Sequence, residues 1–168
     1  LMYEFSAKIP EGVATDQIPL MLQGMLRDRF GLKMHWESKE QAVYALVATK
    51  AVPKLKPSAP DAPGGARFSS LGHFELNRTT MPAFAQSLSG MLGRPVLDTT
   101  GIERFYDFVF DVNPADLAGR LYESPASVES KNPSIFAVLQ EMGFKLESRK
   151  AAINHLVIDH VEKVPTEN

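Results

Sequence analysis

His35 and Glu37 lie two residues apart, and His160 and Glu162 repeat that spacing near the other end of the chain. On a β-strand, residues i and i+2 point to one face. An imidazole and a carboxylate placed that way can share a divalent cation, and two such pairs supply four ligands. A metal-dependent or hydrolase-like enzyme would use these four residues, with His160 or Asp98 as its candidate catalytic groups. The simpler reading is that histidine and glutamate occupy the polar side of a half-exposed sheet with no metal. His73 and Glu75 form another i, i+2 pair, a possible dyad of the kind any chain of this size contains.

Asp98-Thr99-Thr100-Gly101 is the most suggestive short string. It resembles the aspartyl-phosphate motif of ion-pumping ATPases and, less closely, the Asp-Thr-Gly of aspartic proteases. The first requires magnesium-binding carboxylates and a nucleotide domain, and no such sequence follows. The second requires a partner aspartate loop, and here a second threonine intervenes. A turn explains the string better: Asp and Thr side chains bond to nearby backbone N–H groups and glycine supplies positive φ. No Gly-x-Ser-x-Gly elbow and no phosphate-binding loop is present, so no cofactor is implied.

The elements that position these residues follow from an internal repeat. Gly31, Gly93 and Gly143 are each preceded by an apolar residue (Phe30, Leu92, Met142), with Leu26, Leu88 and Val138 four residues further back on the same helix face. Thirteen residues after each glycine stand Tyr44, Tyr106 and Leu156, and two beyond those Leu46, Phe108 and Ile158. Each unit reads as a helix ending at a glycine, followed by a β-hairpin. Pro19, Pro82 and Pro133 mark helix starts, with caps among Thr15, Asp16, Thr79, Thr80 and Asn132. Helices are predicted at 16–30, 81–92 and 133–142. Hairpins would pair 32–38 with 42–49, 95–98 with 104–112, and 144–149 with 153–161. Further strands are predicted at 3–9 and 68–77. Trp36 and the helical methionines are expected to pack the core rather than form a ligand platform.

The resulting fold class is α+β: three related helix–hairpin (β-α-β-β-like) units, with antiparallel sheets covered on one face by helices. The units span about 1–49, 67–112 and 131–163 of a single domain. A Pro-rich loop at 50–66 and a long connection at 113–130 separate them.

Composition narrows the function. The 168 residues carry a net charge of −2, with 44% hydrophobic and 23% charged residues and no cysteine. Disulfides, thiolate chemistry and Cys-based zinc sites are excluded. The charge offers no field for phosphate backbones, so nucleic acid is not an expected partner. No apolar run approaches the roughly 20 residues that span a bilayer, so membrane association would need a segment outside this chain. The Leu1-Met2 start reads as the cut end of a longer protein.

Three stretches resemble a soil-associated family of uncharacterised bacterial domains. They are Arg29–His35 with Glu37 and Tyr44–Val47; Gly93–Gly101 with Tyr106–Phe108; and Lys145–Lys150 with Val157–Lys163. The resemblance implies no assigned activity. It implies export, and in some members fusion to membrane sensor-peptidase regions, hence an extracytoplasmic location. Together these features favour a non-catalytic binding or interaction module that contacts a protein or peptide through its sheet edges. The enzyme using the His/Glu pairs is the alternative.

Overall fold

The computed structural model describes residues 4, 6, 8–49, 55–69, 72–117 and 131–166. They fall into two units, Leu1–Lys39 with Ala152–Asn168, and Glu40–Ala151. Among the described residues there are three α-helices and seven strands: α1 (Ile18–Phe30), β1 (Lys33–Ala48), β2 (Lys56–Pro57), β3 (Gly65–Phe68), β4 (His73–Thr79), α2 (Met81–Leu92), β5 (Val96–Asp98), β6 (Tyr106–Asp111), α3 (Ile135–Met142) and β7 (Phe144–His160). The α+β class holds. No helix among them is long and apolar enough to cross a membrane.

The three glycines end the helices as the sequence predicts. Gly31, Gly93 and Gly143 have φ of 57°, 61° and 92°, the left-handed conformation that an L side chain resists. The caps are partly as expected. Thr80 accepts from the Ala83 N–H at the start of α2, but α3 is capped by Ser134 rather than Asn132, and α1 starts from Gln17 with no side-chain cap.

The hairpins are the main correction. Residues 33–48 form one continuous strand, and so do residues 144–160. The intended turns at Lys39-Glu40-Gln41 and Lys150-Ala151-Ala152 contain no Gly, Asn, Asp or Pro, so the chain stays extended through them. The second hairpin is absent too. β5 runs parallel to β1 with Tyr44 opposite Val96, while β6 joins another sheet. The strands that follow the three glycines instead come together in one sheet, ordered β5-β1-β7. What repeats in the structure is helix, left-handed glycine, strand. The hairpin that does form joins β3 and β4: β4 takes up the later part of the strand expected at 68–77, whereas β2 and the start of β3 lie inside the stretch expected as a Pro-rich loop at 50–66. At 3–9, Glu4, Ser6, Lys8 and Ile9 lie outside any strand, and Tyr3, Phe5 and Ala7 are outside the described residues. Most of the connection at 113–130 is also outside them.

In the unit Glu40–Ala151 the second sheet is ordered β2-β6-β4-β3 and is antiparallel throughout. Its period-2 pattern places Phe74, Leu76, Phe108 and Phe110 on the buried face. The core also takes Leu46 from β1, Val96 from β5, Phe144 from β7, Met81, Phe84, Ala85, Leu88 and Met91 from α2, and Ile135, Val138 and Leu139 from α3. Phe84 is its hub. Its ring stacks on Phe108 at 4.1 Å, meets Phe110 edge-on and leans on Phe144, so it touches strands of both sheets. Arg94, just past α2, lies 4.1 Å over the Tyr44 ring and donates to the Val43 carbonyl and Ser148 Oγ.

In the other unit, α1 buries only Phe30. Its last carbonyls are satisfied by the chain's C-terminal segment: Glu162 N–H donates to Phe30 O at 2.7 Å, Thr166 N–H to Arg29 O at 2.8 Å, and Thr166 Oγ1 to Asp28 O at 3.2 Å. Trp36 does not join a core. It is 70% exposed, in the part of β1 that belongs to this unit, where Phe30 is the only buried hydrophobic among the described residues.

Candidate functional site

The outer face of the four-stranded sheet carries a polar ladder. His73 stands opposite Asp111, and Glu75 opposite Val109. His73 Nδ1 bonds Asp111 Oδ1 at 2.8 Å and Nε2 bonds Glu75 Oε1 at 3.3 Å. The Asp111 bond, then the Glu75 bond, raises the His73 pKa above its ordinary 6.5 by stabilising the imidazolium. Further along β6, Asp107 accepts from the Arg78 N–H at 3.0 Å and from Ser58 Oγ at 2.6 Å, and pairs with Lys56 at 3.6 Å. The Arg78 and Ser58 bonds hold its carboxyl below the usual range. Arg78 has φ +49° where β4 shifts register between Leu76 and Thr79, and that conformation delivers its N–H to Asp107.

One edge of β6 is only partly occupied. Backbone groups alternate sides along a strand. Val112 N–H donates to Gly72 O, towards β4, whereas Phe105 O accepts from Ser58 N–H on the β2 side. The alternation therefore turns the N–H and C=O of Val109 and Asp111 away from β4. It also makes His73–Asp111 a non-hydrogen-bonded backbone pair, the type in which side chains approach most closely, as their 2.8 Å contact shows. On the β2 side, β6 has a strand partner among the described residues only at Tyr106 and Asp107.

Where that pairing ends, an open groove of about 370 Å³ lies between β6 and α3. Val109, Phe110, Pro133, Val138 and Met142 give it apolar walls, and Asp111 and Glu141 supply carboxylates. Val109 is 60% exposed, a large apolar side chain on a face otherwise lined with polar groups. Among the described residues Glu141 has no ion-pair partner.

Of the residues singled out in the sequence, His73 and Glu75 stand on this ladder and the others lie elsewhere. His35 Nδ1 bonds Asp159 at 2.8 Å, Glu37 pairs with Lys39 at 2.9 Å, and His160 Nε2 bonds Glu162 at 2.8 Å. His160 and Glu162 flank Gly31 at the end of α1, where a Cβ on the glycine would stand 3.6 Å from Glu162 Cγ. Among the described residues no three His, Asp or Glu side chains are grouped to hold a metal. Asp98 forms the turn expected of it: Oδ1 accepts from Thr100 N–H at 2.9 Å and Thr100 Oγ1 at 2.7 Å, and Gly101 has φ +71°. That turn follows β5 and not a hairpin tip. A smaller cleft of about 300 Å³, lined by Gln23, Arg27, Leu32, Lys33, Met34 and Asp159, lies in the unit Leu1–Lys39 with Ala152–Asn168.

Sequence reading missed Val109, Asp111 and Glu141 as site residues, and it passed over His155, whose Nε2 is buried without a hydrogen-bond partner. The alternation Tyr106–Asp111 showed which side chains face out, but it carries no sign of where a neighbouring strand stops.

No curated protein and no solved structure matches the chain. Residues 1–161 match the family described as Protein of unknown function (DUF3738). With nearly its whole length covered by that match, the chain belongs to this family of proteins of unknown function.

Proposed function

We propose that this chain is a non-catalytic binding module acting outside the cytoplasm, and that it takes an extended segment of another protein against β6 in the groove beside α3. The carrying observation is the edge of β6 at Val109 and Asp111, which has no strand partner among the described residues and opens onto apolar walls. An added strand gains main-chain hydrogen bonds from the edge and places alternate side chains against Pro133, Val138 and Met142. The enzyme reading has less to build on. The one imidazole flanked by two carboxylates, His73, has both ring nitrogens engaged by them and bonds no nucleophile among the described residues.

Two substitutions test the site. Val109→Pro removes a donor on the open edge without taking one from the β4 ladder. Met142→Arg fills the groove. Peptides selected on the wild-type protein should lose binding to both variants, and the Val109 and Asp111 amides should gain hydrogen-exchange protection when peptide is bound. Equal binding to all three proteins sinks the reading. The location is tested with a disulfide-dependent reporter fused to the full-length protein: activity is expected, since that reporter folds only in an oxidising compartment.

A further inference from the structure

The protein carries its own small example of what this edge accepts. In β2, Lys56 stands opposite Asp107 on the outer face, its Nζ 3.6 Å from Oδ2, while Pro57 stands opposite Tyr106 on the other. β6 then continues with Val109 and Asp111 on that same outer face, so its aspartates recur four residues apart. Resting on the binding reading above, we infer that the segment taken by the groove is antiparallel to β6 and carries a lysine or arginine opposite Asp111.

Each part of that statement has a physical source. Both described partners of β6, β2 and β4, are antiparallel to it, which favours that sense for a third. On an added strand, the residue opposite Asp111 points to the outer face beside its carboxylate, as Lys56 does beside Asp107. The next residue points the other way, towards the walls formed by Val138 and Met142. The one after stands opposite Val109. Read from its N-terminus, the segment therefore runs basic, apolar, any residue, and ends there, because the chain's own Leu55, next to Lys56, already packs against the core. Glu141, exposed on the α3 side of the groove, adds a second negative charge. His73 donates to Asp111 from the β4 side, the side away from the open edge. An acidic segment would set like charges side by side, which disfavours it.

The test is selection of displayed random peptides on the purified chain, followed by synthesis of the enriched sequences. The expected winners share a Lys or Arg followed at once by an apolar residue. Their affinity should fall about fivefold in the Asp111→Asn, Glu141→Gln double variant, as for one or two partly exposed ion pairs, and added salt should weaken binding to the wild-type protein more than to that variant. Thermal unfolding of each variant shows that its fold is kept. Two results separate this inference from the reading it rests on. If the winners lack a basic residue, or bind the double variant unchanged while Val109→Pro still blocks them, the charge assignment fails and edge binding stands. If no sequence is enriched, or the winners bind Val109→Pro and Met142→Arg like wild type, both fail.

Discussion

Replacing Phe84 with alanine tests whether the core of the unit Glu40–Ala151 is organised as described. The Phe84 ring is fully buried, stacks on Phe108 with planes 7° apart, and makes further ring contacts with Phe110 and Phe144. Truncating a buried phenylalanine to alanine costs about 3–5 kcal/mol in transfer and cavity terms. Aromatic pairs of this geometry add roughly 0.5–1.5 kcal/mol each beyond area, though they share atoms and do not sum. The upper part of the range, about 4–5 kcal/mol, is therefore expected. For a chain of this length that lowers the unfolding midpoint by about 10–15 °C. Urea unfolding followed by far-ultraviolet circular dichroism should show a lower midpoint concentration with an unchanged slope. Phe84→Leu, which keeps most of the volume, should cost no more than about 1.5 kcal/mol. A loss below about 2 kcal/mol for the alanine variant would refute the hub role. Equal losses for both variants would show that ring geometry, not volume, dominates.

Other positions give independent checks. Gly72 has φ +85°, and a Cβ there would stand 2.1 Å from the Val112 carbonyl oxygen, so Gly72→Ala should destabilise by about 3 kcal/mol or more in the same urea assay. His73 has a raised pKa, so its bonds to Asp111 and Glu75 stabilise fully below pH 6.5 and fade as pH rises through the raised value. Wild type should lose stability over that window and His73→Gln should not, as read by urea midpoints across pH. Asp98→Ala removes two turn hydrogen bonds and should cost about 1–2 kcal/mol while leaving peptide binding unchanged. Deleting residues 161–168 uncaps α1, and hydrogen exchange in its last turn should quicken while exchange in α2 stays as it was.

The helix ends were legible because a left-handed C-cap is a local demand that glycine meets, and Gly31, Gly93 and Gly143 answer it three times. The buried face of β6 was legible because Phe108 and Phe110 alternate with polar neighbours. Strand partners were not. Parallel pairing of Tyr44 with Val96 depends on residues 52 apart (96 minus 44) and leaves no mark in either segment. Lys39-Glu40-Gln41 and Lys150-Ala151-Ala152 break the apolar alternation on either side as a turn would, but they lack turn residues, and the backbone runs straight through both. The candidate groove arises where a two-residue strand stops short of its neighbour's end. Where a strand's pairing ends belongs to the pairing pattern and not to any residue type, so neither Val109 nor Glu141 carries a mark of it.

The meeting of β1 with β7 also sets a schedule for synthesis. Thr49 N–H bonds the Gly143 carbonyl at 2.9 Å, a contact between residues 94 apart. At roughly 5–20 residues per second, the ribosome needs on the order of ten seconds to deliver the second partner after the first. β5 arrives earlier and pairs with one side of β1 only at residues 44–46. For the rest of that interval the other side of a 16-residue strand, including the uncharged run Ala42–Thr49, waits for β7 with its hydrogen-bonding groups unused. The nascent chain is thus most open to misassembly just before β7 is made.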